Sequence, residues 1–311
     1  MSAEVSAELL LAIGLSRFSQ RRRRLTLMDR GEYAALQERY AEIADAHPGP
    51  SDARYSSVTA GGVSAEWIGG PWVRDDAVIL YLHGGCYGTG SVATHRDLIT
   101  RIAAAGRARS LGLNYRLAPA HPFPAAVDDT LAAYRWLLAE GIAAERIALV
   151  GDSAGAGLAV ATTLALRDQQ VSLPSAIVCI SPWVDLALSG ASMKTQACED
   201  PLVSRAMLLG WAQLYLGEHD PSTPLASPIY ADLHGLPPML IQVGSTEVLR
   251  DDATRLSERA TASGVEATLE VWPGMIHVWH TFAPILSEAR DAIARIGQFV
   301  RDHFAERDPR D

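Results

Sequence analysis

The sequence predicts an α/β chain, with a mostly parallel central sheet and helices on both faces. Three observations carry that expectation. From residue 77 onward, short apolar runs of strand length alternate with stretches of helix length. The runs at 77–82 and 147–150 are continuously apolar rather than alternating, the pattern of strands buried on both faces. Finally, Gly151-Asp152-Ser153-Ala154-Gly155 joins one such run directly to a helix-like stretch. A serine at so tight a strand-to-helix turn needs neighbours without side chains two residues away on each side, so that strand and helix can approach.

The elements follow in order. Residues 1 to about 50 read as helices, with Tyr33, Leu36, Tyr40 and Ile43 on one face and a stop at His47-Pro48-Gly49-Pro50. Residues 55–59 and 63–68 form an antiparallel hairpin across Ala60-Gly61-Gly62. Strand 77–82 ends in His83-Gly84-Gly85-Cys86. A helix over 95–105 and a strand over 109–115 lead to the proline-rich loop Arg116 to Pro124. Helix 125–140, strand 147–150, a helix to about 169 and strand 176–180 follow. From 185 to 228 the alternation breaks up around one amphipathic helix, 204–216, and this reads as a lid-like insertion. Strand 239–243, helix 249–263, strand 266–271 and a long helix 284–303 close the chain. The domain reading is one catalytic unit, 51–311, with residues 1–50 and 185–228 packed over it as a cap.

Composition narrows the partners. A formal net charge of −9 with scattered basic residues argues against nucleic acid. Cys86, Cys179 and Cys198 are odd in number and lack metal-ligand spacing, which suits a reducing cytoplasm and gives no metal site. The apolar run 9–15 is too short to span a bilayer and has the wrong flanking charges for a signal peptide, so no membrane span is expected and the expected location is cytoplasmic.

The chemistry builds on Ser153. A serine hydroxyl needs a base within hydrogen-bond reach, and histidine suits neutral pH. His277, on the loop after strand 266–271, is the candidate, with His280 as fallback. A carboxylate must orient the imidazole. Glu247, on the loop after strand 239–243, is the candidate; Asp251 and Asp252 are alternatives that also suit a helix start. The order Ser153, Glu247, His277 is the serine–acid–histidine order expected for this kind of turn. Developing negative charge needs backbone N–H donors: Ala154 beside the serine, and others from the loop Gly84, Gly85, Cys86. His83 is read as ordering that loop. Cys86 as nucleophile lacks an activating histidine.

Taken together, His83-Gly-Gly-Cys86, Tyr115-Arg-Leu-Ala-Pro119, His121-Pro-Phe-Pro124, Gly151-Asp-Ser-Ala-Gly155 and Ser181-Pro-Trp183 resemble the hormone-sensitive-lipase-like esterases, the bacterial family IV lipolytic enzymes of the α/β-hydrolase fold. The likeness runs from about residue 50 to the C-terminus, and Asp185-Leu, Ser189-Gly-Ala-Ser192 and Asp200-Pro201 resemble the family's lid-side region. It implies a cofactor-free serine carboxylesterase for short acyl esters, a helical cap, Ser153 as nucleophile, His277 as base, and oxyanion donors among Gly84, Gly85, Cys86 and Ala154, with the last three favoured. Two departures matter: Cys86 stands where the family usually has a third glycine, and Glu247-Val-Leu249 stands where it usually has Asp-Pro-Leu. Asn114 also replaces a frequent aspartate. The competing readings are a non-catalytic small-molecule receptor on the same fold and an amidase or peptidase. The partner expected is a small-molecule ester, with room left for a homodimer.

Overall fold

The structure, a computed structural model, describes residues 52–304. The helices expected over residues 1–50 lie outside that range. Eight strands form one sheet: β1 (Arg54–Ala60), β2 (Val63–Gly69), β3 (Arg74–Leu82), β4 (Ala108–Leu113), β5 (Ile147–Asp152), β6 (Ala176–Ile180), β7 (Met239–Gly244) and β8 (Ala267–Trp272), in the spatial order β1-β2-β4-β3-β5-β6-β7-β8. The β1–β2 hairpin pairs antiparallel with Ala60 opposite Val63, and β2 pairs antiparallel with β4. Every pairing from β4 through β3 to β8 is parallel. Six neighbouring strands, β4, β3, β5, β6, β7 and β8, therefore end at one edge of the sheet, where parallel α/β proteins place their sites.

The helices are α1 (Val92–Gly106), α2 (Ala125–Ala139), α3 (Ala154–Asp168), the single turn α4 (Ser192–Thr195), α5 (Arg205–Leu216), α6 (Arg250–Ala262) and α7 (Ser287–His303). Strands β3, β5, β6 and β7 are buried on both faces because helices cover both. Ile79, Tyr81, Ala148 and Val150 pack with α1 and α7, and Val78, Leu80, Leu149 and Leu164 pack on the opposite side. Each such Leu, Ile or Val contributes about 1.5–3 kcal/mol by burial.

Three boundaries differ from expectation for local reasons. Helix α1 starts at Val92 because Ser91 and Thr94 form a capping box and Asn114 Oδ1 accepts the Val92 N–H at 2.9 Å. Asn114 thus caps a helix on a neighbouring element, which gives that replacement a physical role. Strand β4 ends at Leu113, earlier than expected, although the Asn114 N–H still donates to Ser64 O at 2.9 Å while its side chain serves α1. Helix α7 begins at Ser287, not 284, because Ile285 and Leu286 donate back to Phe282 O in a preceding turn. Among the described residues, no helix is long and apolar enough to cross a membrane.

Candidate active site

Ser153 sits on the turn from β5 to α3 with φ 54° and ψ −118°, a strained conformation held from both sides. Its N–H donates to Ile180 O at 2.8 Å, and its carbonyl accepts the Trp183 N–H at 3.0 Å. The flanking glycines are required by contact. A Cβ on Gly151 would run into the backbone of Gly155, and one on Gly155 into the carbonyl oxygens of Leu82 and His83. The glycine spacing read from the sequence is thus the clearance between β5, α3 and the end of β3.

His277 follows β8, and Glu247 follows β7. His277 Nδ1 lies 2.8 Å from Glu247 Oε2. The Glu247 carboxylate is fully buried and fully used: Oε1 accepts the Gly244 N–H at 2.6 Å and the Ser181 hydroxyl at 2.7 Å. A buried carboxylate is tolerable only when so paired. The longer glutamate is accommodated by a tight turn, Glu247 N–H to Gly244 O at 3.3 Å. That turn is stitched to the following loop by the Thr246 hydroxyl on Met275 O at 2.7 Å and by the Gly274 N–H on Ser245 Oγ at 2.9 Å. Burial presses the His277 pKa down, but the Glu247 hydrogen bond and charge outweigh it, with help from Asp200 and Asp152, and the net shift is upward.

The other acids face elsewhere. Asp251 Oδ2 accepts the Ser192 N–H, and Asp252 Oδ2 accepts the N–H groups of Val184 and Asp185. His280 points its Nε2 at Gln242 Oε1, 2.8 Å away, and burial pulls its pKa to about 3.

The loop after β3 carries the N–H groups expected as oxyanion donors. Gly85, Cys86 and Tyr87 all have positive φ, at 115°, 56° and 60°. The N–H groups of Gly85, Cys86 and Ala154 have no acceptor among the described residues. Gly84 differs and is a correction to the donor set: its N–H is spent on Asp152 Oδ1 at 3.0 Å. Gly84 must be glycine because a Cβ there would strike the Asp152 carboxylate. His83 orders the loop through Nδ1 on Gly84 O at 2.7 Å and stacks on Tyr115 at 4.3 Å; burial lowers its pKa to about 3. Burial pushes the Cys86 thiol up to about 12, so it is not a thiolate at neutral pH.

Two groups escaped the sequence reading. Ser181, at φ 47°, donates to Glu247 and accepts the Val278 N–H at 3.1 Å, so the acid and the histidine loop hang on one hydroxyl. Its only signal was the Ser-Pro-Trp motif after β6. Asp152, inside the serine pentapeptide, accepts from Tyr81 Oη at 2.7 Å and faces His95 Nε2 at 3.4 Å. Burial raises the Asp152 pKa, but His95 and Tyr81 prevail and hold it below the usual carboxylate range.

A family model described as alpha/beta hydrolase fold matches residues 79–281. The chain is 52% identical over 249 residues to an acetyl-hydrolase of Streptomyces hygroscopicus, covering 80% of this chain and 83% of that one. It is 38% identical over 224 residues to an esterase of Acinetobacter venetianus, covering 72% and 74%. The crystal structure of an esterase from the bacterial hormone-sensitive lipase family superposes with a TM-score of 0.90 at 50% identity, covering 96% of this chain and 99% of that one. The chain belongs to the hormone-sensitive-lipase-like esterases, carboxylic ester hydrolases of the α/β-hydrolase fold. This esterase also resembles EstE5, whose crystal soaked with p-nitrophenyl butyrate has a TM-score of 0.85 at 44% identity, covering 88% of this chain and 92% of that one.

Proposed function

We propose that this esterase hydrolyses short acyl esters through an acyl-enzyme, with Ser153 as nucleophile, His277 as general base and acid, and Glu247 as the carboxylate that orients His277. The observation that carries this is the 2.8 Å contact between His277 Nδ1 and Glu247 Oε2 at the strand edge that also presents Ser153. A carboxylate on Nδ1 leaves Nε2 as the proton acceptor. Ser153 Oγ adds to the acyl carbonyl and its proton passes to Nε2. The tetrahedral oxyanion is met by the N–H groups of Gly85, Cys86 and Ala154. The alkoxide leaves with the proton from His277. Water, deprotonated by His277, then adds to the acyl-serine, and collapse releases the acid and restores Ser153.

In the same reading, segment 185–228 belongs to the cap over this edge. Three free cysteines, two of them buried, support a cytoplasmic location. A homodimer is part of the same proposal, to be tested by sedimentation. Ser153→Ala, assayed on p-nitrophenyl butyrate, is expected to abolish nearly all turnover; activity at the wild-type rate would refute the assignment. The same assay extended to longer acyl chains and to aminoacyl amides distinguishes an esterase for short chains from the other hydrolase readings.

A further inference from the structure

The loop carrying Glu247 is held from outside by the segment that follows β6. Gln196 Nε2 donates to Ser245 O at 3.0 Å, and the Ser192 hydroxyl donates to Val248 O at 2.5 Å while accepting the Asp251 N–H at 3.0 Å. A further clamp is Asp200, which like Ser192 is fully buried. Its Oδ1 accepts the N–H groups of Leu202 and Val203 at 2.9 and 2.8 Å, which fixes its own backbone turn. Its Oδ2 accepts the Val248 N–H at 3.0 Å, on the residue next to Glu247.

We propose that Asp200 is a positioning residue for the reaction: its carboxylate fixes the Glu247 loop against the segment after β6 and places a second negative charge near His277. The proposal rests on the roles assigned above to Ser153, Glu247 and His277. A hydrogen bond to a neutral acceptor could hold the Val248 N–H alone, but neither an amide nor a hydroxyl offers a second acceptor oxygen for the Leu202 and Val203 N–H groups, as this carboxylate does. A buried carboxylate is costly to desolvate, and its charge acts on the imidazole as well. The ionisable groups acting on His277 come from four places: Glu247 after β7, Asp200, Asp152 on β5, and His280 on the turn that follows it. The three carboxylates favour the imidazolium and His280 is neutral, so removing one carboxylate makes His277 a weaker base.

The test is the pH profile of kcat and kcat/KM for Asp200→Asn and Asp200→Ser on p-nitrophenyl butyrate, with Ser153→Ala run alongside and thermal melts to confirm folding. Each neutral variant is expected to lose kcat on the order of 10–100-fold through misplacement of the acid. KM should stay within about threefold, because no substrate contact is removed. The acid limb of kcat/KM should move to lower pH. A folded variant whose acid limb stays at the wild-type midpoint overturns the proposal, whether or not kcat falls, because Asp200 then acts by structure alone. Failure of both variants to fold also overturns it, making Asp200 a folding residue. Wild-type turnover by Ser153→Ala would instead sink the underlying assignment, and this proposal with it.

Discussion

The Ser181 hydroxyl donates to Glu247 Oε1 at 2.7 Å from a backbone held at φ 47°. The same oxygen accepts the Val278 N–H at 3.1 Å, one residue past His277. A single buried hydroxyl therefore sets the separation between the acid and the loop that carries the imidazole. Ser181→Ala leaves a Glu247 oxygen short of one donor and a buried N–H without an acceptor. It should cost about 1–3 kcal/mol of stability, and kcat should fall by about tenfold or more with KM little changed. Denaturant melts and steady-state kinetics check both.

The raised His277 pKa fixes the direction of the activity profile. As the proposed base, His277 works only when neutral, so kcat/KM should fall as pH drops through a midpoint above the ordinary 6.5. Glu247→Gln removes the hydrogen bond and charge that raise it. The midpoint should move down while kcat falls by about 10³–10⁴-fold, because an amide can hold the imidazole in the wrong tautomer. Initial rates across pH for both proteins decide this.

Stability has a separate acid dependence. His83 and His280 are buried and neutral, each with its pKa lowered to about 3. The unfolded chain binds protons at these positions below about pH 6.5 while the folded chain does not. Unfolding is therefore favoured increasingly as pH falls from there towards 3, by about 1.4 kcal/mol per pH unit for each group. His95 and His277, with raised values, do the opposite: their contribution is complete below about pH 6.5 and is lost as pH rises through their folded values. His280→Gln should thus reduce the acid slope of the unfolding free energy by one proton's worth, measured by urea melts at several pH values.

Thiol chemistry separates the cysteines. Burial pushes Cys86 and Cys179 to about 12, whereas Cys198 is exposed. Iodoacetamide should label Cys198 alone in the folded protein. Cys86→Ala keeps the backbone N–H and should retain activity. Peptide mapping and a single assay check this, and loss of all turnover in Cys86→Ala would reopen a chemical role for the thiol.

The sheet was legible because a strand covered on both faces must be apolar throughout. Runs 147–150 and 176–180 could hardly be anything else. Glycines 151 and 155 were legible because the clearance they provide leaves no room for a Cβ. Gly84 looked like a donor because sequence spacing cannot show that Asp152, many residues later, takes its N–H. Ser181, Asp152 and Asp200 were hidden for the same reason. Their roles lie in hydrogen bonds to distant backbone and side-chain groups, and a lone Ser or Asp in a sequence does not name its partner. Start sites slipped where a cap came from elsewhere, as when Asn114 fixed the beginning of α1.

The most direct measurement is labelling with a fluorophosphonate, followed by peptide mapping, on the wild type and on His277→Ala. The account predicts a single phosphonylated residue, Ser153, in the wild type, and labelling slowed by orders of magnitude when the imidazole is gone. Label on any other residue, or labelling of Ser153 at an unchanged rate in His277→Ala, would contradict it.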